Sequence, residues 1–156
     1  MYLLDTNIIS YLNSKEDPIK SENIKINLAK KYESSGGNLE LYYSVICFQE
    51  TLFGVENAKI LKVEKNTIEF YKGQADFVKT NCLILDYTPE MAVTFAKIKA
   101  HLVKRQKLLN KEKIEARNYD IMIAATAIEC GFTLITNNTK HFQNIPGLQY
   151  EDWTVI

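Results

Sequence analysis

Short apolar runs alternate along this chain with longer stretches in which apolar residues recur every three or four positions. A short apolar run between polar residues is typical of a buried strand, and the longer period is typical of an amphipathic helix. The short runs predict strands over residues 2–4, 39–44, 82–85 and 132–135. Because strand and helix signals alternate, we expect an α/β domain with a mainly parallel sheet covered by helices on both sides.

The longer stretches predict helices between these strands. Ser44 can cap the helix that follows it, Pro89 is suited to the first turn of another, and Gly131 can end a third. This third helix is apolar around most of its circumference and rich in alanine, so we expect it to be buried. The predicted helices cover residues 7–12, 19–32, 45–55, 57–79 and 118–130, with one more starting at Pro89.

Composition bounds the class of protein without fixing its function. The chain has 156 residues, so we expect one domain over residues 1–156. Its 19 basic and 19 acidic side chains cancel, so the net charge argues neither for nor against binding of nucleic acid. Its three cysteines lie in apolar runs without the spacing of a metal site, which indicates a reduced, cytoplasmic chain. We expect neither an export signal nor a membrane span.

Three acidic residues stand close to the predicted strand ends. Asp5 directly follows the first strand, Glu50 lies in the helix after the second, and Asp120 opens the helix before the fourth. In open parallel sheets the active crevice lies outside the carboxyl ends of the strands. Each acid has apolar neighbours, and an unpaired buried charge is costly, so each of the three needs a partner.

Each acid also has a purely structural interpretation. Asp5 could cap the next helix, Asp120 could complement the helix dipole, and Glu50 could pair with a buried basic residue. None of them has a matching basic residue beside it in the sequence, so a shared cation explains the set better. Oxygen ligands favour Mg²⁺ or Mn²⁺ over zinc. Such an ion would activate a water for hydrolysis of a phosphodiester bond.

Four segments resemble the PIN domain family and, within it, the VapC-type toxins of bacterial toxin–antitoxin pairs. They are LLDTNIIS at residues 3–10, SVICFQETLFGV at 44–55, NYDIMIAATA at 118–127 and the tail at 136–153. The resemblance implies a PIN-like three-layer fold with a parallel sheet of about five strands. It also implies a Mg²⁺- or Mn²⁺-dependent endoribonuclease that is the toxin of a VapBC-type pair.

The resemblance also assigns site residues. Asp5, Glu50 and Asp120 match the metal-binding and catalytic acids of the family. A further acid is common in the loop after the fourth strand, where this chain has Thr136, two asparagines and His141 instead. We expect Asn138 to act as a further catalytic residue that orients a water, and Thr136 to contact substrate. The missing acid makes a tightly held second metal doubtful.

One stretch before Asp120 is strongly basic. Such a face is most often only solvated, but its position predicts a phosphate-binding surface next to the metal, with Arg117 as the main contact. His101 is expected to lie on the surface, and His141 either at the site or packed beside Phe142. The basic side chains are Lys97, Lys99, Lys104, Arg105, Lys107, Lys111, Lys113 and Arg117.

By the same resemblance, the partners are an RNA substrate, a cognate antitoxin and a second copy of the chain in a homodimer. The helices over residues 45–55 and 57–79 are the expected antitoxin groove, although most of their apolar side chains belong in a core. These side chains are Phe48, Leu52, Phe53, Phe70, Tyr71 and Phe77.

Two other functions stay open from the sequence. One is a PIN-like module that binds RNA or protein with weak or no nuclease activity, which the missing loop acid favours. The other is a metal-dependent phosphatase, against which the chain has no glycine-rich phosphate loop and no DxD after the first strand. The endoribonuclease remains the leading hypothesis.

Overall fold

A single parallel sheet organises the protein. The computed structural model describes residues 1–12, 14–105 and 117–156. The sheet has five strands in the order β3-β2-β1-β4-β5, and all neighbouring strands are parallel. The expected α/β fold with a five-stranded parallel sheet is therefore confirmed. The strands are β1 Tyr2–Leu4, β2 Leu41–Ser44, β3 Leu83–Leu85, β4 Thr133–Ile135 and β5 Tyr150–Glu151.

Helices connect the strands and cover the sheet. The Ser44 side chain accepts a hydrogen bond from the Cys47 N–H (3.1 Å), which is the predicted cap. Gly131 ends its helix at φ +66°, a left-handed conformation that glycine adopts at little cost. The described helices are α1 Thr6–Leu12, α2 Pro18–Ser34, α3 Val45–Ile60, α4 Lys65–Asn81, α5 Pro89–Arg105, α6 Asn118–Cys130 and α7 Thr139–Phe142.

The prediction of one helix over residues 57–79 was wrong. Helix α3 continues to Ile60, and α4 begins only at Lys65. The chain turns between them at Lys62, whose φ is +52°. The sequence predicts one continuous helix because Leu61 continues the apolar pattern of α4. In the structure Leu61 is exposed at the turn between α3 and α4. The two helices pack against each other.

The prediction that residues 82–85 form a buried strand was also wrong in part. The strand exists as β3, but Leu83 is 57% exposed and Ile84 is 39% exposed. The reason is topology: within the described ranges β3 is an edge strand with β2 as its one neighbour, and apolar composition does not reveal a strand's place in a sheet.

The hydrophobic core is centred on β1 and α6. Leu3 and Leu134 are fully buried on neighbouring central strands, and Trp153 and Phe142 from the carboxyl-terminal part of the chain close the core. As predicted, α6 is buried along most of its length, and its three alanines and Ile121 have no exposed surface. Within the described ranges, no helix is long and apolar enough to cross a membrane.

The register of the sheet brings three strand ends to one level. Leu4 of β1 is aligned with Tyr43 of β2 and with Ile135 of β4. The Asp5 N–H then donates to the Ile135 carbonyl (2.9 Å), so Asp5 leaves the sheet between its two neighbours. The next residue along β4 is Thr136, and α3 starts directly after β2. The carboxyl edge of the central strands is thus where the candidate residues gather.

Candidate active site

Asp5 is a buried carboxylate whose hydrogen-bond donors, among the described residues, are all neutral groups. It is 6% exposed. Its Oδ1 accepts from the Thr6 N–H (2.8 Å), and its Oδ2 accepts from Asn7 Nδ2 and Thr136 Oγ1 (2.6 Å each). Burial raises the pKa of Asp5 to about 6, against the lowering effect of the Thr136 and Thr6 hydrogen bonds. The negative charges of Asp120 and Glu50 make a smaller contribution to this raised pKa. A cation beside Asp5 would relieve this cost.

Thr6 connects the first acid to the second. As the first residue of α1, it donates its N–H to Asp5 and its hydroxyl to Glu50 Oε2 (2.6 Å). Glu50 lies in the second turn of α3, which the Ser44 cap anchors at the end of β2. One threonine at the corner between strand and helix therefore sets the position of Glu50 relative to Asp5.

Asp120 is held by His141 of α7, the short helix that follows β4. Its Oδ2 lies 2.7 Å from His141 Nδ1, and Asn138 Nδ2 lies 2.7 Å from the same ring nitrogen. Because a carboxylate only accepts, this nitrogen carries the proton in its contact with Asp120. Turning the Asn138 amide over would let its oxygen share that proton. His141 is half-exposed while Phe142 is buried, so His141 belongs to the acid cluster and not to the core.

Thr136 is fully buried, and its hydroxyl is engaged by Asp5. The Asn7 amide and the Asn138 N–H both point to the same hydroxyl oxygen, at 3.2 and 3.0 Å. This geometry suits a residue that supports Asp5. The sequence predicts instead that Thr136 contacts the substrate. Contact between Thr136 and the substrate stays a prediction.

Sequence reasoning missed two residues of this network, Thr6 and Asn7. Thr6 and Asn7 directly follow Asp5, and Asn7 Oδ1 also accepts from the Asn137 N–H (3.1 Å), which ties the corner to the loop after β4. Their position right after the end of a central strand was the available signal. For His141 the sequence left open whether it lies at the site or packs beside Phe142, because nothing in the sequence places it against Asp120.

In the described part of the chain, no lysine or arginine forms an ion pair with Asp5, Glu50 or Asp120. The described lysine ion pairs involve other acids, namely Asp17, Glu151, Glu56 and Glu69. The donor set is therefore rich in negative charge and oxygen atoms, which suits a hard divalent cation. Among these same residues, no three acid, histidine or cysteine side chains are arranged to hold a metal ion directly. Glu50 is turned to Thr6 and Asp120 to His141 instead.

Arg117 lies immediately before α6, one turn from Asp120. Its guanidinium donates to the His141 carbonyl, and its Nε is buried without a partner among the described residues. Lys99 of the basic stretch donates to the Asn118 side chain (3.0 Å) and so joins α5 to α6. Lys107, Lys111 and Lys113 lie outside the described residues. Phosphate binding by this stretch stays a prediction.

Comparison with known proteins identifies the fold around these acids. A family model described as PIN domain matches residues 2–148. The chain belongs to the PIN domain family. The resemblance drawn from the four sequence segments is thereby confirmed, and the five-stranded sheet is the PIN sheet.

Relatives of this PIN domain match it over nearly their full lengths. It is 32% identical to Ribonuclease VapC2 of Haemophilus influenzae, over 97% of each chain. It is 26% identical to the tRNA(fMet)-specific endonuclease VapC of Shigella flexneri, over 98% of each chain. In structure it is similar to a chain in the complex of VapBC2 from Rickettsia felis with a promoter DNA fragment. The TM-score is 0.70 and the identity 25%, with 97% of this chain and 98% of that chain covered.

Proposed function

We propose that this PIN domain is a metal-dependent endoribonuclease, the VapC-type toxin of a toxin–antitoxin pair, and that it hydrolyses RNA phosphodiester bonds. The names of the relatives support the reaction class, and divalent-metal dependence is general in the family. The observation that carries the proposal in this chain is the Asp5 carboxylate. It is buried, it accepts hydrogen bonds from neutral groups in the part of the chain that the structure describes, and it lies within electrostatic reach of two further acids.

Asp5, Glu50 and Asp120 are the residues that would hold the cation, and Mg²⁺ or Mn²⁺ suits their oxygen atoms. When bound, such an ion polarises a phosphate oxygen and lowers the pKa of a water. We expect Glu50 and Asp120 to reorient when the ion binds, since no three of the described side chains are arranged to hold it as they stand. The family's additional loop acid is absent here, so we expect one ion to be bound more firmly than any second.

The remaining residues of the site position the acids. Thr6, Asn7 and Thr136 fix the orientation of the Asp5 carboxylate by donating to it. Only Oε2 of Glu50 has a hydrogen bond among the described residues, so Oε1 is the oxygen suited to orient an attacking water. Arg117 adds positive charge beside Asp120, where a phosphate would approach. We propose that Asn138 is a further residue that orients a water near Asp120.

The test compares charge-neutralised variants under metal. Asp5→Asn and Asp120→Asn should each lose RNA cleavage in Mg²⁺ or Mn²⁺, because each removes a charge from the cluster. Asp86→Asn is the matched control: Asp86 also follows a strand, β3, but it is exposed and lies at the edge of the sheet. Cleavage by Asp5→Asn at the rate of the wild type, in preparations free of other nucleases, would show the proposal to be wrong.

A second candidate function is a PIN-like module that binds RNA or protein with little or no cleavage. One observation favours such a binding module: no three of the described acid, histidine or cysteine side chains are positioned to hold a metal as they stand. Calorimetric titration separates the two functions. The enzyme should bind Mn²⁺ in a way that Asp5→Asn abolishes, whereas a binding module would show the same weak heat in both proteins.

We also propose the cognate antitoxin as the protein partner and a second copy of the chain as a further one. A surface pocket of about 380 Å³ between the α1–α2 connection and α4 is lined by Phe70, Tyr71, Lys15 and Glu16, among others. It offers both apolar and charged contacts to a peptide. Replacing Phe70 with alanine should weaken the complex with the antitoxin encoded beside this chain. Analytical ultracentrifugation of the free toxin tests self-association.

A further inference from the structure

A second groove opens directly beside the acid cluster. It has a volume of about 590 Å³ and is lined by Gln49, Glu50, Phe53 and Tyr119. The Phe53 side chain is 69% exposed and that of Tyr119 is 51% exposed. Neither ring is part of the hydrophobic core. Two large aromatic surfaces are thus left open to water at one place.

The two rings belong to the helices that carry the acids. Phe53 lies one turn after Glu50 on α3, and Tyr119 directly precedes Asp120 on α6. These two helices contact each other. Because residues three apart on a helix share a face, Phe53 stands over the same groove as the Glu50 carboxylate. The aromatic surface is therefore continuous with the site that Asp5, Glu50 and Asp120 form.

The lining of the groove selects the chemical group that it can take. Among the described residues, Glu50 is the one charged side chain that lines the groove, and its negative charge would repel a phosphate there. A flat, neutral group with polar edges fits better, because its faces can lie on the rings and its edge can reach the Gln49 amide. The unpaired base of a single-stranded RNA has this shape, and base stacking on aromatic side chains is a general means of holding such RNA.

We propose that Phe53 and Tyr119 form a stacking platform for an unpaired RNA base next to the phosphate that is cut. The inference rests on the proposed ribonuclease function and deepens it. It follows that the enzyme selects loops and single strands over continuous duplex, since a base must leave its stack to reach the rings. Gln49 then contacts the edge of that base.

The experiment uses a synthetic RNA that contains a cleavage site mapped with the wild-type enzyme. Phe53→Ala and Tyr119→Ala should each raise KM, and the Kd measured in Ca²⁺, by about 5- to 150-fold, the range for loss of one stacked base. The value of kcat should change far less. Phe53→Trp should restore binding, whereas Phe53→Leu, which keeps apolar contact without a ring, should not. Tyr32→Ala is the control, because Tyr32 is similarly exposed at 55% but does not line the groove.

Removing the base tests the same contact by changing the RNA instead of the protein. An abasic nucleotide at the stacked position should weaken binding to the wild type, and Phe53→Ala should then have no further effect. This measurement stands even if a variant folds poorly. Unchanged KM and Kd in both alanine variants, or equal binding of the abasic RNA by the wild type, would overturn the stacking platform. Weakened antitoxin binding or self-association with unaltered RNA binding would instead identify a protein contact.

The two proposals fail in different ways. If the wild type cuts no RNA in Mg²⁺ or Mn²⁺, the proposed ribonuclease function is wrong, and so is the stacking platform that rests on it. If the wild type cuts RNA and Asp120→Asn does not, while the alanine variants at Phe53 and Tyr119 behave like the wild type, only the platform is wrong.

Discussion

Neutralising Asp5 should stabilise the metal-free protein while it removes activity. Burial and the neighbouring acids raise the pKa of Asp5 from 3.8 to about 6. One pKa unit corresponds to about 1.4 kcal/mol, so ionising Asp5 at neutral pH costs the folded state about 3 kcal/mol. In Asp5→Asn the new NH₂ group replaces an acceptor that now serves Asn7 and Thr136, which offsets about 1 kcal/mol. We expect a net gain of about 1–2 kcal/mol.

The assay is thermal unfolding in EDTA at pH 7.5, followed by the same scan with Mg²⁺ or Mn²⁺. For a domain of this size the expected gain raises Tm by about 3–6 °C. Metal should then raise the Tm of the wild type and leave that of Asp5→Asn nearly unchanged. Asp86→Asn, an exposed acid, should behave like the wild type throughout.

The pH dependence of this difference has a definite sign. An acid whose pKa is raised in the folded state binds its proton more readily there than in the unfolded chain. Metal-free wild type therefore loses the destabilising contribution of Asp5 as pH falls through about 6 toward 3.8. The Tm advantage of Asp5→Asn should shrink over the same interval. A variant that is less stable than the wild type in EDTA at pH 7.5, or that gains equally from metal, refutes the reasoning.

Three further substitutions test other parts of the structure. Thr6→Val removes the hydroxyl that holds Glu50 and should lower kcat about tenfold without unfolding the domain, as cleavage assays and circular dichroism can check. His141→Ala frees Asp120 and should change Mn²⁺ affinity in calorimetry by about tenfold, while an unchanged Kd would show that the contact is incidental. Gly131→Ala forces a side chain into a left-handed conformation at φ +66° and should cost about 1 kcal/mol in urea unfolding.

Local signals in the sequence predicted most of the fold. The end of α6 was predictable because Gly131 is suited to a left-handed cap, and the start of α3 because Ser44 can cap it. The alternation of strands and helices predicted a parallel sheet. The corner at Lys62 and the edge position of β3 were not predictable, because both depend on which elements pack side by side.

The candidate site shows the same division between local and non-local information. Asp5 could be singled out because an acid at the end of an apolar strand is conspicuous in the sequence. The contact between Asp120 and His141 joins residues 21 positions apart, and that between Thr6 and Glu50 spans 44 positions. Only the folded chain brings these pairs together. The hydrogen-bond partners that support each acid could therefore be identified only from the structure.

The most direct test of a shared divalent cation is a crystal soaked with Mn²⁺ and measured at a wavelength where manganese scatters anomalously. Our account predicts one strong anomalous peak within coordination distance of oxygen atoms of Asp5 and Asp120, with Glu50 bound directly or through a water. A map without that peak, in which the three carboxylates are instead paired with lysine or arginine side chains, would contradict it.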